Sequence, residues 1–248
     1  MTPQREPSGP RTHLLTGAGS GIGAALADAL HARGDRLVLV ARSRQRAEDL
    51  SARYADAQVL IADLADPAAL ETTLAELADG GALPDRLDSL LHVAGVVDLG
   101  PVEEVPAATW REHVDVNLVA PALLTRACLP ALRAGAGLVV FVNSSAGLQA
   151  GAGWSAYAAS KFGLRALADS LRAEELPHGV RVSTVFPSRT ATPMQEKVHA
   201  QEGGVYDSRL WIAPETVVAT ILHCLDLPPD ATIPDVTIRP PAPRPGTH

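Results

Sequence analysis

Residues 139–175, VVFVNSSAGLQAGAGWSAYAASKFGLRALADSLRAEE, are the stretch around which the rest of the chain is organised. The apolar, β-branched run at 138–142 predicts a buried strand that ends at Asn143 and Ser144. A Gly/Ala loop follows, and an Ala- and Leu-rich segment then predicts a helix over about residues 154–175. The stretch is therefore expected to fold as strand, loop and helix.

Tyr157 and Lys161 are four residues apart on this helix, so their side chains lie on one face. A lysine ammonium near a phenol favours the phenolate, and we expect it to lower the pKa of Tyr157 from a reference of about 10. Such a tyrosine can exchange a proton with a substrate oxygen that Ser144 holds. An ordinary helix pair is the alternative, but the chain keeps only two lysines, Lys161 and Lys197, against 19 arginines (21 basic residues less two).

The composition indicates a globular protein. With 46% hydrophobic residues in 248, the chain can bury the core of one α/β domain or of two small ones. We expect no membrane span, because no apolar run approaches about 18–20 residues, and no signal peptide, because the N-terminus lacks an apolar core. A net charge of −7 without a basic stripe argues against nucleic-acid binding.

The cysteines and histidines predict neither a disulfide nor a metal site. Cys128 and Cys224 lie far apart in helical-looking segments, so we expect buried free thiols in a reducing compartment. The eight histidines lack H-x-x-x-H and H-E-x-x-H spacings, so we predict no metal. These features predict a soluble cytoplasmic protein.

Strands and helices alternate along the chain. We predict strands at 13–16, 37–41, 58–62, 89–93, 138–142, 181–186 and 235–239, helices at 24–33, 43–54, 66–78, 107–133 (broken near Pro121), 154–175 and 214–225, and an irregular or partly helical stretch at 188–212. Apolar strands between helices predict a parallel sheet covered on both faces. We expect one α/β domain at 12–240, a flexible arm at 1–11 and a disordered tail at 241–248.

A glycine-rich turn, GAGSGIG at 17–23, separates the first strand from the first helix. This arrangement aims backbone N–H groups and a helix N-terminus at a phosphate, and glycine lets a ligand approach the backbone. A plain connector is the alternative. The position after the first strand favours a nucleotide site, because doubly wound sheets bind ligands at the carboxyl ends of their strands.

The residues after the second and third strands bear on the choice of nucleotide. NAD-binding proteins carry an acid about 20 residues past the glycines, but here the second strand ends at Arg42. An arginine suits a 2′-phosphate, so we predict NADP(H), unless Arg42, Arg44 and Arg46 only solvate a helix start. Asp63 is placed either to bond an adenine amine or to cap the next helix.

With these pieces assembled, the chain resembles the short-chain dehydrogenase/reductase family over about residues 12–240. The matching motifs are the T-G-x-x-x-G-x-G turn at 16–23, Asp63-Leu64, Asn117, Ser144 at 13 residues before Tyr157, and Y-x-x-x-K ending at Lys161. The resemblance implies a single-domain, Rossmann-like doubly wound fold with about seven parallel strands. It implies cofactor contacts at Gly17, Gly19, Ser20, Gly21, Ile22, Gly23, Arg42, Asp63, Leu64, Ala94, Gly95, Tyr157, Lys161, Pro187, Thr190 and Thr192.

Two positions depart from the family pattern. Its N-N-A-G is HVAG at 92–95, and its P-G is Pro187-Ser188. Those asparagines mainly support the sheet in the family, so we expect activity to persist and His92 to be structural. Ser188 changes loop geometry rather than chemistry.

The resemblance also implies a catalytic mechanism, hydride transfer between the nicotinamide C4 and a carbonyl or alcohol carbon. Ser144 would hold the oxygen, Tyr157 would protonate it, Lys161 would lower the Tyr157 pKa and bond the nicotinamide ribose, and Asn117 would position a water that links Lys161 to solvent. Ser145 is the nearest rival to Ser144, and spacing favours Ser144. Other readings are a non-catalytic NADP(H)-binding regulator, an NAD(H)-preferring dehydrogenase, and an epimerase or dehydratase, which the compact length disfavours.

The substrate pocket and the assembly are less sharply defined. We expect the pocket to form from 94–99, 148–154 and 188–212, with the last segment ordering over ligand as a lid. Met194, Tyr206 and Trp211 suggest apolar contact there, or simple packing. The family commonly forms dimers or tetramers, and apolar faces at 118–132 and 164–176 would permit a homodimer or homotetramer.

Overall fold

Seven short apolar segments pair in parallel to form one sheet, as seen in a computed structural model that describes residues 9–241. The strands are β1 (Thr12–Thr16), β2 (Arg36–Ala41), β3 (Gln58–Ile61), β4 (Ser89–His92), β5 (Leu138–Val142), β6 (Arg181–Pro187) and β7 (Asp235–Ile238). Their order across the sheet is β3-β2-β1-β4-β5-β6-β7. The predicted parallel, doubly wound sheet is confirmed.

Eight α-helices connect or follow these strands in the described part of the chain. They are α1 (Gly21–Ala32), α2 (Arg44–Arg53), α3 (Pro67–Asp79), α4 (Ala107–Val114), α5 (Ala120–Gly135), α6 (Ser155–Glu175), α7 (Pro193–Gln201) and α8 (Pro214–Asp226). Helices α3, α5 and α6 pack on one face of the sheet, and α1, α2 and α8 pack on the other.

Alternating side chains of each strand point to opposite faces, which explains why the central strands are apolar throughout. In β5, Val139 and Phe141 belong to one core cluster, while Val140 and Val142 belong to the other. The sheet is therefore sandwiched between two hydrophobic cores. This arrangement fixes which strand ends face the cleft described below.

The strand order reverses at β1. Leu14 pairs with Val38 of β2 on one side and with Leu90 of β4 on the other. Chain connections leave this point in opposite directions, so a crevice opens at the carboxyl ends of β1 and β4.

Several predicted boundaries were wrong by a few residues. α1 begins at Gly21 rather than at 24, so part of the glycine-rich turn is its first turn. The break in the long helix is a π-helical segment, Asp115–Val119, that precedes Pro121. Pro121 itself is the second residue of α5, directly after that segment.

The stretch Ala107–Gly135 is, by length and composition alone, apolar enough to cross a membrane. Its apolar residues have another explanation, since Leu124, Cys128 and Leu132 are buried in the core that covers the sheet. A helix packed along a sheet needs an apolar face of this kind.

Of the predicted arm at 1–11 and tail at 241–248, residues 1–8 and 242–248 lie outside the described residues. Arg11 is tied to the domain, because its backbone N–H donates to Asp35 (3.1 Å) and its guanidinium Nη2 to Asp226 (2.8 Å). Cys128 and Cys224 are both buried and free, as expected.

Candidate active site

The carboxyl ends of the strands open into a cleft of about 1080 Å³. Most residues singled out from the sequence line it: Gly17, Gly19, Ser20, Gly21, Ile22, Gly23, Arg42, Asp63, Leu64, Ala94, Gly95, Ser144, Tyr157, Lys161, Pro187, Thr190 and Thr192. Asn117 is the exception. It is fully buried behind the cleft wall.

The glycine-rich turn is folded so tightly that side chains would not fit. Gly17 has φ +80, and a Cβ there would lie 2.8 Å from the backbone N of Ala94. A Cβ on Gly23 would collide with the carbonyl oxygen of Gly17. By contrast, a Cβ on Gly19 would meet no atom within 4 Å, so the backbone there is open to the cleft.

The N-terminus of α1 is free to receive an anion. Its N-cap residue, Ser20, makes no side-chain capping hydrogen bond, so no side chain occupies the first N–H groups of the helix. These groups and Gly19 face the same cleft. The turn therefore fits the pyrophosphate of a dinucleotide.

Thr192 brings the segment after β6 to this turn. A Cβ on Gly21 would lie 3.1 Å from the Thr192 side chain. Thr192 also caps α7 by accepting a hydrogen bond from the Gln195 N–H (3.3 Å), and its hydroxyl donates to the Thr190 carbonyl (3.2 Å). The start of α7 is thus held against the glycine-rich turn.

The arginines after β2 were predicted either to bind a 2′-phosphate or only to solvate a helix start, and the structure shows that their surroundings differ. Arg42 is exposed, lines the cleft and has no hydrogen-bond or ion-pair partner among residues 9–241. Arg46 pairs with Asp49 (3.3 Å) and follows Ser43, whose side chain caps α2. Of Arg42, Arg44 and Arg46, Arg42 is thus the one that both lines the cleft and has no hydrogen-bond or ion-pair partner among the described residues.

The alternative that Asp63 caps α3 was wrong. Asp66 caps α3 by accepting from the Ala69 N–H (3.0 Å), while Asp63 accepts from the Ala65 N–H (2.9 Å). Asp63 thus holds the turn between β3 and α3 and stays on the cleft wall.

Ser144 and Tyr157 come together at the centre of the cleft. Ser144 begins a 3-10 turn, Ser145–Gly147, and its Oγ accepts from the Ala146 N–H (3.1 Å). Burial raises the pKa of Tyr157 above its ordinary value, and a side-chain hydrogen bond with Ser144 opposes that rise. The spacing argument for Ser144 over Ser145 agrees with this contact.

The expected effect of Lys161 on Tyr157 was wrong. The Lys161 Nζ lies 5.8 Å from the centre of the Tyr157 ring and donates to the Val142 carbonyl (3.1 Å). Both side chains are nearly inaccessible, at 6% for Tyr157 and 4% for Lys161. Burial disfavours the charged form of each group, so it lowers the pKa of Lys161 to about 8 and leaves that of Tyr157 raised.

Asn143 is a site residue that sequence reasoning noted only as a strand end. Its Nδ2 donates to the Lys161 carbonyl (3.0 Å), and its Oδ1 accepts from the Ser144 N–H (2.8 Å). One buried amide therefore joins the end of β5 to the helix that carries Tyr157. The sequence feature that could have identified Asn143 is a polar residue at the end of an apolar strand, next to Ser144.

Asn117 is held by a second network. Its Oδ1 accepts from the Val96 N–H (2.9 Å), and its Nδ2 donates to the Val96 carbonyl and the Ser160 hydroxyl (both 3.0 Å). Ser160 in turn donates to the Tyr157 carbonyl (2.7 Å). Ser160, inside the Y-x-x-x-K spacer, was also missed.

Gly95 lets Asn117 and Lys161 approach one point. A Cβ on Gly95 would lie 3.1 Å from the Asn117 Oδ1 and 3.6 Å from the Lys161 Nζ. The absent side chain therefore leaves room for the two polar groups that the sequence paired.

His92 lies in the core, as the sequence predicted. Its Nε2 is 2.9 Å from the Thr125 hydroxyl, and its ring stacks on Phe141 with centroids 4.9 Å apart. Burial lowers the pKa of His92 to about 3, which keeps it neutral. Within residues 9–241, no group of three His, Cys, Asp or Glu side chains is arranged to hold a metal.

Helix α7 covers the part of the cleft next to Tyr157. Met194 and Val198 line the cleft from this helix, so part of the segment 188–212 borders the site. Trp211 and Tyr206, by contrast, pack against His199, with centroids 4.8 and 5.5 Å apart. Met194 is thus the one of the three suggested apolar residues that lines the cleft.

Comparisons with known proteins point to one family. The family model described as short chain dehydrogenase matches residues 11–203. L-xylulose reductase from Bos taurus is 34% identical over 186 residues, which cover 74% of this chain and 73% of that protein. The structure of a short-chain dehydrogenase from Streptomyces avermitilis superposes with a TM-score of 0.78 at 28% identity, covering 94% of this chain and 89% of the other.

A metagenomic short-chain oxidoreductase solved in complex with NADP is similar to the same extent. Its TM-score is 0.74 at 31% identity, and the match covers 94% of this chain and 98% of the other.

The buried lysine makes a pH-dependence prediction. The pKa of Lys161 is about 8 in the folded protein, against an ordinary value of 10.5 in the unfolded chain. The unfolded chain therefore binds more protons between these values, and stability rises with pH there. Lys161→Met removes this contribution of Lys161 to the pH dependence of stability. Its free energy of unfolding relative to wild type should fall by about 2 kcal/mol from about pH 7.5 to about pH 9.5.

Urea unfolding of nucleotide-free protein at the two pH values measures this change. Lys197→Met, which removes the exposed second lysine, is the matched control and should show no such trend. Parallel pH dependence of wild type and Lys161→Met would contradict the buried charge.

Proposed function

This chain belongs to the short-chain dehydrogenase family, and we propose that it transfers a hydride between NADP(H) and a carbonyl or secondary alcohol carbon. It is an oxidoreductase by family. The observation that carries the proposal is the convergence of Ser144, Tyr157 and Lys161 on the cleft wall beside an uncapped, glycine-rich helix start.

The acid–base step is assigned to Tyr157. When bound, the nicotinamide supplies or accepts the hydride. Ser144 holds the substrate oxygen by a hydrogen bond, and the Tyr157 hydroxyl donates a proton to that oxygen as negative charge develops. Because burial raises the pKa of Tyr157, the hydroxyl stays protonated and is ready to act as the acid in the reductive direction.

We assign two roles to Lys161: it takes part in resupplying the proton, and it bonds the nicotinamide ribose. With a pKa of about 8, its ammonium gives up and regains a proton close to neutral pH. It sits beside Gly95 and Asn117, on the side of the cleft that leads to the glycine-rich turn. Asn117 acts by holding the Val96 backbone and Ser160 in place.

The NADP(H) preference rests on Arg42. Its exposed guanidinium lies on the cleft wall after β2 and has no partner within the described part of the chain, so it can make a charge-assisted contact to a 2′-phosphate. The metagenomic relative in complex with NADP supports this assignment. An NAD(H)-preferring enzyme is the alternative.

A non-catalytic NADP(H)-binding regulator is the rival from another class. It does not need a hydroxyl, a phenol and an amine converging on one point of the cleft. In this chain all three converge, and Asn143 holds them in register.

Assembly as a homodimer or homotetramer and a cytoplasmic location complete the proposal. The outer faces of α5 and α6 are less exposed than the sequence suggested. Leu123 and Leu129 of α5 are half-buried, as is Leu118 in the π-helical segment before α5. Phe162 of α6 is exposed at 42%, and Leu176, which follows α6, at 76%. The contact between copies is therefore expected on the α6 side.

Removing the Tyr157 hydroxyl tests the catalytic assignment. Tyr157→Phe should lower kcat by at least about two orders of magnitude, because general acid catalysis is lost, while NADPH binding persists. Steady-state NADPH oxidation and a fluorescence titration measure the two effects. Tyr54→Phe, which removes a hydroxyl outside the cleft, is the control, and near-normal turnover in Tyr157→Phe would refute the assignment.

Removing the free guanidinium tests the cofactor preference. Arg42→Ala should raise the KM for NADPH by about tenfold or more, since it removes a charge-assisted hydrogen bond, and should leave the KM for NADH nearly unchanged. Arg44→Ala, an exposed neighbour, is the matched control. Equal effects on both cofactors, or wild-type preference for NADH, would contradict the role of Arg42.

A further inference from the structure

The part of the cleft next to Tyr157 is apolar. Val97, Ala146, Ala158 and Val198 form a buried cluster with the Tyr157 ring, and Leu99 and Trp154 pack at its margin. We call the space bounded by Val97, Ala146, Trp154, Tyr157 and Val198 the chamber, since these residues also line the cleft. A substrate carbonyl that reaches Tyr157 must enter it.

Arg189, a cation on the cleft wall near the chamber, is already neutralised. Its guanidinium makes two hydrogen bonds to the Glu202 carboxylate, of 2.6 and 2.7 Å. It also lies over the rings of Trp154 (5.7 Å) and Trp211 (5.6 Å). The charge of Arg189 is therefore neutralised within the protein, and these contacts fix the orientation of its guanidinium.

The charged groups on α7 are used to hold the helix down. The Lys197 Nζ lies 2.7 Å from the Asp98 carboxylate, and the Gln201 Nε2 donates to the same oxygen (2.9 Å). The Gln201 Oε1 accepts from the Leu99 N–H (3.2 Å). These contacts fasten the lid to the loop after β4 and leave none of the three groups for a substrate.

The remaining charges do not favour an anion beside the carbonyl. Glu112 lines the cleft without a partner among residues 9–241, and it adjoins His113, whose Nε2 accepts from the Asp98 N–H. Arg239 lines the cleft after β7, which is two strands from β5 in the sheet. Lys161, whose Nζ donates to the Val142 carbonyl, is assigned above to the proton supply and the ribose. Among the described residues, no cation that borders the chamber is therefore left for an acid next to the carbonyl.

We infer that the substrate is an uncharged carbonyl compound with apolar groups next to the carbonyl, and that a carboxylate or phosphate adjacent to the carbonyl is excluded. This inference rests on the proposed function. A carboxylate entering the chamber loses its hydration and gains no partner, whereas an apolar group gains contact with the chamber walls.

A matched pair of substrates tests this directly. Ethyl benzoylformate and benzoylformate share the carbonyl and the ring and differ by one charge. The kcat/KM of the wild-type enzyme with NADPH should be at least about a hundredfold higher for the ester, as expected when an unpaired carboxylate is buried.

A variant that frees Arg189 should reverse part of this discrimination. In Glu202→Gln the guanidinium loses its counter-charge, so kcat/KM for benzoylformate should rise at least about tenfold, while that for the ester changes by less than about threefold. Glu196→Gln, at an exposed position of α7, is the matched control and should change neither.

Ligand binding separates this inference from the proposed function. Quenching of tryptophan fluorescence in NADP-loaded protein, lost in Trp154→Phe, reports binding without turnover. Binding of the ester but not of the acid, with no reduction of either, sustains the inference and refutes the reductase. Three results would overturn the inference. One is that benzoylformate is reduced or bound as well as the ester or better. The others are greater activity on a ketose such as xylulose than on the ester, and no binding of the ester.

Discussion

The hydrogen bonds of the buried Asn143 amide are the contacts on which the site depends. They join the segment Asn143-Ser144, directly after β5, to α6, which carries Tyr157 and Lys161, and so oppose a shift between the two. Neither β5 nor α6 alone sets the distance between Ser144 and Tyr157. Losing the amide would leave a buried N–H and a buried carbonyl unpaired, at a cost of about 1–3 kcal/mol each.

Burial then sets the chemistry of the groups that Asn143 aligns. The Tyr157 phenol and the Lys161 amine lie under an apolar wall, so each resists its charged form. This opposes the simple picture in which a lysine ammonium makes a tyrosine acidic. It yields instead a protonated phenol beside an amine that titrates close to neutral pH, a pair whose perturbed values are typical of functional sites.

The sequence predicted the sheet because each central strand is apolar on both faces and each is followed by a helix. It predicted most of the cleft because parallel strands bring the residues after β1, β2, β3 and β5 to one edge. It did not predict the contacts that need the folded chain: Asn143 meets Lys161 across a loop, and Arg189 meets Glu202 over the lid helix. The direction of the Tyr157 pKa also failed, because burial is not visible in spacing.

The measurement that tests the central claim most directly follows the hydride itself. NADPH carrying deuterium on one face of C4 is supplied with a reducible carbonyl compound, and the alcohol is analysed by mass spectrometry. The account predicts one deuterium on the former carbonyl carbon from one C4 epimer and none from the other. NADPH that binds while the product carries no deuterium from either epimer would contradict it.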